Sequence, residues 1–312
     1  MTSFLASVAD TAIITRFQLF RALRSRTLLA LCVVYLLIST GGAWVFTQIL
    51  KQLENAAAGA LGGAKTETPG AMLDVLRSNG DLLELLQGLV GDPETARRLL
   101  SLPILSVTHF WLALGTLPFL AAAAGAEAVS VDLRERSLRF ELVRTGRMEM
   151  VMGRFFAQAI LVSIASLLSV SGTVSIAAFA MVAQPILGTL SSLLLFTGPL
   201  IFWSLPFVGL GIAASQVTAT VQLARTIALG SVGGSFILWA VVVHVEDLGP
   251  KHGLGRRALD LGADLLHSAM PQGWILELWR PGVGWLPAAA FLLAASVAAA
   301  LSTFPLFARK DL

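Results

Sequence analysis

Six stretches of this chain are apolar for longer than a soluble fold requires: residues 27-49, 104-126, 155-183, 187-214, 227-245 and 285-307. A helix rises 1.5 Å per residue and bilayer hydrocarbon is about 30 Å thick, so about 20 apolar residues suffice to span it. The third and fourth stretches exceed that length, which predicts tilt or interfacial ends. Their apolar residues do not alternate with polar ones, as the strands of a membrane β-barrel would. The predicted fold is therefore all-α and polytopic, a single transmembrane domain over 1-312 with about six transmembrane helices.

Composition agrees: 56% of residues are hydrophobic and 13% charged, against roughly a quarter charged in soluble domains. The net charge of +3 does not imply nucleic acid, because the arginines sit beside the apolar runs instead of forming a basic domain. Cys32 is the only cysteine, which excludes an intrachain disulfide and a cysteine metal cluster. No small-residue cleavage site follows the run beginning at Thr27, so it reads as a retained helix and not a signal peptide.

Lys and Arg beside a span are retained on the cytoplasmic side. Arg16, Arg21, Arg24 and Arg26 precede the first run, and Arg134, Arg136, Arg139, Arg144, Arg147 and Arg154 fill the second connection. Arg225 lies in the fourth connection, and Arg309 with Lys310 follows the last run. These segments fall on one face, which predicts a multi-pass protein of the plasma (inner) membrane with both termini cytoplasmic. Loops 50-103 and 246-284 and a turn at Gln184 and Pro185 fall on the outer face, toward which six of the seven tryptophans lie; Trp203 is mid-span.

Short helices are predicted in both outer loops. In 50-103, Ala57 to Gly63 reads as small and flexible, Leu82 to Val90 as an amphipathic helix, and Asp92-Pro93-Glu94 as the cap and first turn of another. Leu254 to Met270 reads as a third helix, ended by Pro271. Residues 1-26 predict an interfacial elbow helix, with Ser3, Ser7, Asp10, Thr11, Gln18 and Arg21 along one side and Phe4, Leu5, Val8, Ile13, Phe17 and Phe20 largely elsewhere. Ile14 and Arg16 interrupt that pattern. The plainer reading of these residues is a positively charged topogenic flank.

The segment 128-154 alternates acids and bases around Leu138, Phe140, Leu142 and Val143. A charged helix between two spans must lie outside the hydrocarbon, where its charges would cost several kcal/mol each. It reads as a protrusion on the cytoplasmic face. The bland alternative is a solvated connection in which surface ion pairs contribute little.

Several chemistries find no support. Gly59 to Thr66, GALGGAKT, echoes a phosphate-cradling loop, but its spacing is wrong and it falls on the outer face. His109, His244, His252 and His267 lie apart without metal-ligand spacing and read as interfacial histidines, and no catalytic residue is assigned. Glu127 and Arg225, near the ends of their spans, are possible gating residues, although both can reach the interface. Gly230 and Gly234 have the spacing of close helix packing within the chain. Pro199, Pro206, Pro287 and Pro305 are candidate kinks.

The charged segment resembles that of the ABC-2 type permeases, the membrane subunits of ATP-binding-cassette transporters. Glu135, Leu138, Arg139, Leu142, Arg144, Arg147, Gly153 and Arg154 approximate a family pattern of the form E-R-x-x-G-T-L-R-x-x-L-x-R-P-x-S-R, followed by a glycine and a basic residue opening the third span. Arg136 and Ser137 stand where that pattern has glycine and threonine. Thr145-Gly146 replaces its proline turn. The elbow helix, six spans, large first outer loop and the ending Phe307-Ala308-Arg309-Lys310-Asp311-Leu312 are similar across nearly the whole length.

The resemblance implies a non-enzymatic permease of an exporter, paired with a second permease copy in a homodimer or pseudo-dimer. ATP and Mg would be bound by a separate ABC ATPase subunit, and an outer-face accessory protein is a possible further partner. Arg134, Glu135, Arg139, Glu141, Arg144 and Arg147 would carry the ATPase coupling, the first five through salt links, while Leu138, Phe140 and Leu142 fill a cleft of the ATPase. The alternative with the same topology is a non-transporting anchor or scaffold that relays ATPase motion. An intramembrane enzyme would need a polar catalytic cluster and an ion-coupled transporter a cluster of intramembrane acids, and the sequence shows neither.

Overall fold

Within hydrocarbon every backbone N–H and C=O must find a partner, and a helix does this within one segment. The computed structural model describes residues 2–24, 26–60, 84, 93–143, 145–181, 186–247, 265–266, 268–275, 277–279 and 283–309, and among these the regular structure is helical. In chain order the helices are α1 (Thr2–Arg24), α2 (Arg26–Ala60), α3 (Pro93–Ser101), α4 (Ile104–Glu127), α5 (Ser130–Glu135), α6 (Leu138–Leu142), α7 (Arg147–Ala180), α8 (Ile186–Val217) and α9 (Val221–Asp247). Two 3-10 turns, Pro271–Trp274 and Glu277–Trp279, precede α10 (Leu286–Leu301) and α11 (Phe304–Ala308). Six segments among these are long and apolar enough to cross a membrane. The protein is an all-α polytopic membrane protein.

Local chemistry explains where several helices begin and end. α2 continues through Ala57–Ala60, where the sequence suggested flexibility, because alanine is the best helix former. α3 begins at Pro93, whose missing N–H would have been unpaired there anyway. Pro287 and Pro305 lie in the first turns of α10 and α11 and so start helices where kinks were expected. The Leu82–Val90 helix, most of Leu254–Met270, His252 and His267 fall outside the described residues.

The chain divides into two compact units. One comprises 29–116 and 163–200, with a core of Ala43, Leu50, Leu105, Ala177 and Met181 against which Phe46, Ile104 and Ile176 pack. Its buried polar cluster joins α2, α4 and α7: His109 Nδ1 lies 3.2 Å from Ser39 Oγ and 2.8 Å from Thr173 Oγ1, while Ser39 donates to Ser169 O at 2.9 Å. His109 is thus a buried, hydrogen-bonded residue. Its ring finds in two hydroxyls the partners that a buried polar group needs.

The other unit comprises 1–28, 117–162 and 201–312. Here α4 and α8 cross backbone to backbone, because a side chain at Gly125 or Gly211 would strike the facing helix's backbone, at Val208 O and Ala122 O respectively. Trp203 and Phe207 of α8 meet Phe236 of α9 at centroid distances of 6.3 Å each. Trp274 stacks on Phe291 of α10 at 4.6 Å. The expected packing at Gly230 and Gly234 is not found among the described residues, where added side chains would meet nothing within 4 Å. α9 instead buries the stripe Ala224, Ala228 and Val232, which leaves both glycines on its exposed side.

Candidate functional site

The connection between α4 and α7 is not one helix. Asp132 and the residues around it make α5, which stops at Arg136, a non-glycine residue with φ of 55°. This left-handed conformation lets Ser137 N–H bond back to Asp132 O at 3.1 Å and reverses the chain into α6. It costs an L-residue about 1–2 kcal/mol and glycine little. Position 136 is also where the family pattern has glycine.

An ion network fastens this double turn from below. Asp132 Oδ1 accepts from Arg21 Nη1 at 2.6 Å and from Ser137 Oγ at 2.9 Å, and its Oδ2 lies 2.6 Å from Arg154 Nη1. Arg154 Nη2 in turn donates to Glu141 Oε2 at 2.6 Å, and its Nη1 donates to Ala128 O. The side chains of Asp132 and Arg154 are only 2% and 1% exposed. Buried charges persist only when paired and hydrogen-bonded. The network therefore fixes α5, α6 and the start of α7 as one piece.

The N-terminal helix belongs to that piece. Ser7 donates to Glu149 Oε1 at 2.8 Å and Thr15 to Gly153 O at 3.1 Å. Gly153 makes the approach possible, since a Cβ there would lie 2.7 Å from Ile14 Cβ and 3.0 Å from Thr11 O. Ile14, which interrupts the polar side of α1 in sequence, is the buried residue that fills this contact. Burial opposes the charge of Arg21, but its bond to Asp132 and the attraction of Asp132, Glu135 and Glu141 outweigh that and raise its pKa.

The expected coupling residues separate by position. Leu138 is turned inward and buried, and Glu141 is committed to Arg154, so neither presents the surface anticipated for it. Arg147 donates to Phe307 O at 3.1 Å and to Ala308 O, and its guanidinium sits 5.9 Å from the Phe307 ring, tying α7 to α11. Arg134 and Glu135 are exposed and 3.5 Å apart, Arg139 is exposed, and Leu142 is half-buried. Phe140 and Val143 are 79% and 84% exposed. Arg144 lies outside the described residues.

At the other candidate position, Arg225 Nη2 donates to Glu127 Oε1, joining α9 to the end of α4. Spacing and motif do not single out Asp132, and they give Arg154 only a place in the family pattern and Arg21 only one on the polar, basic side of α1. Their signal was an acid just past one span and a base just before the next, a placement that favours pairing. No curated protein matches the chain. The family described as ABC-2 family transporter protein matches residues 13–312, and the chain belongs to that family.

Proposed function

We propose that this chain is the permease subunit of an ATP-driven exporter and that the α5–α6 double turn docks into a separate ATPase subunit. One observation supports the docking reading above others: Phe140 and Val143, three positions apart, stand almost fully exposed on a segment held rigid by buried ion pairs. Exposed aromatic and aliphatic side chains on a rigid base suit the anchors of an interface, with Arg134, Glu135 and Arg139 as its charged rim. ATP and Mg would then reside in the partner, and two copies of the permease would flank a path for substrate. Closure of the ATPases on nucleotide would press on α5–α6, and the ion network would carry that displacement to α1, α4 and α7. Glu127 and Arg225 bridge α4 to α9 and suit a gate that breaks as those helices part. The charged connection and both termini are assigned to the cytoplasmic side of the plasma (inner) membrane, and an accessory protein would meet the opposite face.

Affinity purification of the tagged chain from native membranes in mild detergent tests this. The unaltered chain should recover a Walker-motif ATPase in roughly equal amount with vanadate-sensitive hydrolysis. Phe140→Ser with Val143→Ser should weaken its retention by about thirtyfold, the equivalent of about 2 kcal/mol for lost anchors. Full retention by a correctly inserted variant would remove this surface from the interface.

A further inference from the structure

α1 carries its amphipathicity the wrong way round for water. Its side facing the rest of the unit holds Ser7, Asp10, Thr11, Gln18 and Arg21, with Ile14 buried among them. Its outward side exposes Val8, Ile13, Phe17, Phe20 and Leu23, all at least half exposed. Such a face is stable where it meets lipid, at the boundary between headgroups and acyl chains.

Two cations stand within that apolar face. Arg16 and Arg24 are exposed, with Phe20 between them at four-residue steps along the helix, and the Arg16 guanidinium lies 5.6 Å from the Phe20 ring. Arg21, on the inward side, is paired with Asp132 and lies 3.8 Å from Glu135. Among the described residues no carboxylate pairs with Arg16 or Arg24. Cations set in an apolar face at headgroup depth have the phosphates of anionic lipids as their available counter-ions.

We propose that Arg16 and Arg24, flanking Phe20, form a site for anionic phospholipid headgroups. Occupancy of this site holds α1 in place and, through Arg21–Asp132 and Ser7–Glu149, steadies the α5–α6 turn. The proposal rests on the reading of α1 as a helix on the bilayer surface, and it is independent of what the complex moves.

The test is the melting midpoint of the purified full chain in nonionic detergent micelles, titrated with phosphatidylglycerol or with phosphatidylcholine. Phosphatidylglycerol should raise the midpoint saturably and phosphatidylcholine should not. Each arginine contributes roughly fivefold to affinity, so Arg16→Gln with Arg24→Gln should weaken the phosphatidylglycerol response about twenty-five-fold. Arg309→Gln, at the opposite end of the chain, should leave the response unchanged. An equal response to both lipids, an undiminished response of the double variant, or an equal response to inorganic phosphate would overturn the proposal. Should the double variant melt early without lipid, the unaltered chain decides: its phosphatidylglycerol response must fall steeply between low and high salt, and a salt-independent response refutes the site. The ATPase retention experiment reads Phe140 and Val143 instead, so either idea can fail alone.

Discussion

Replacing Asp132 by Asn keeps the shape of the side chain and removes the anion that two arginines share. Arg21 is 38% exposed and can turn to solvent, but Arg154 is 1% exposed and keeps, among the described residues, Glu141 and the Ala128 carbonyl. Breaking a buried pair by removing one partner costs up to about 3–5 kcal/mol, and here the Arg154 charge stays behind with only part of its compensation. At 1.4 kcal/mol per decade this is a shift of roughly two to three and a half decades in the unfolding equilibrium. Equilibrium unfolding of the purified chain in mixed micelles of nonionic detergent and dodecyl sulfate measures it. Arg154→Met should also destabilise, by taking one of two arginines from Asp132 and the partner from Glu141, and the double variant Asp132→Asn with Arg154→Met should cost less than the sum, with a coupling of about 1–3 kcal/mol. A loss below about 1 kcal/mol for Asp132→Asn, or strict additivity in the cycle, would refute the view that this network holds the turn together.

Two further substitutions test the geometry around it. Arg136→Gly relieves a left-handed residue at about 1–2 kcal/mol and gives back about 0.5–1 kcal/mol in chain entropy, so it should stabilise the protein by about 0.5–1 kcal/mol in the same unfolding measurement; a destabilisation would mean that the left-handed turn is not what limits that position. Gly153→Leu should force Ile14 and the Thr11 carbonyl away, lower stability by about 1–3 kcal/mol and increase protease cleavage within α1. Unchanged cleavage would show that α1 is not seated on α7.

Much of this architecture is legible in the sequence because hydrocarbon imposes a length on every crossing helix, and the long apolar runs report it directly. What stays hidden is set by tertiary partners. The polar side of α1 is visible from residue spacing, but its apparent flaw, Ile14, makes sense only once Gly153 is seen against it. Asp132 and Arg154 are 22 residues apart in sequence, and only the reversal at Arg136 brings their charges to 2.6 Å. Leu138 and Phe140 look alike in a list of apolar residues, yet the short helix α6 buries one and exposes the other. Gly230 and Gly234 carry a packing motif that no described residue packs against, since spacing alone does not say which side of α9 meets a neighbour.

The pairing of Arg21 with Asp132 also bears on how the protein is made. α1 leaves the ribosome first, but the carboxylate that neutralises its inward arginine is 111 residues further on, and the acceptor for Ser7 is 142 residues further on. At 5–20 residues per second the first of these arrives about 6–20 seconds later. Until then Arg21 and Ser7 lack the carboxylates that hold α1 against the connection from α4 into α7. The helix α1 therefore waits for the connection from α4 into α7 before its inward side can be paired.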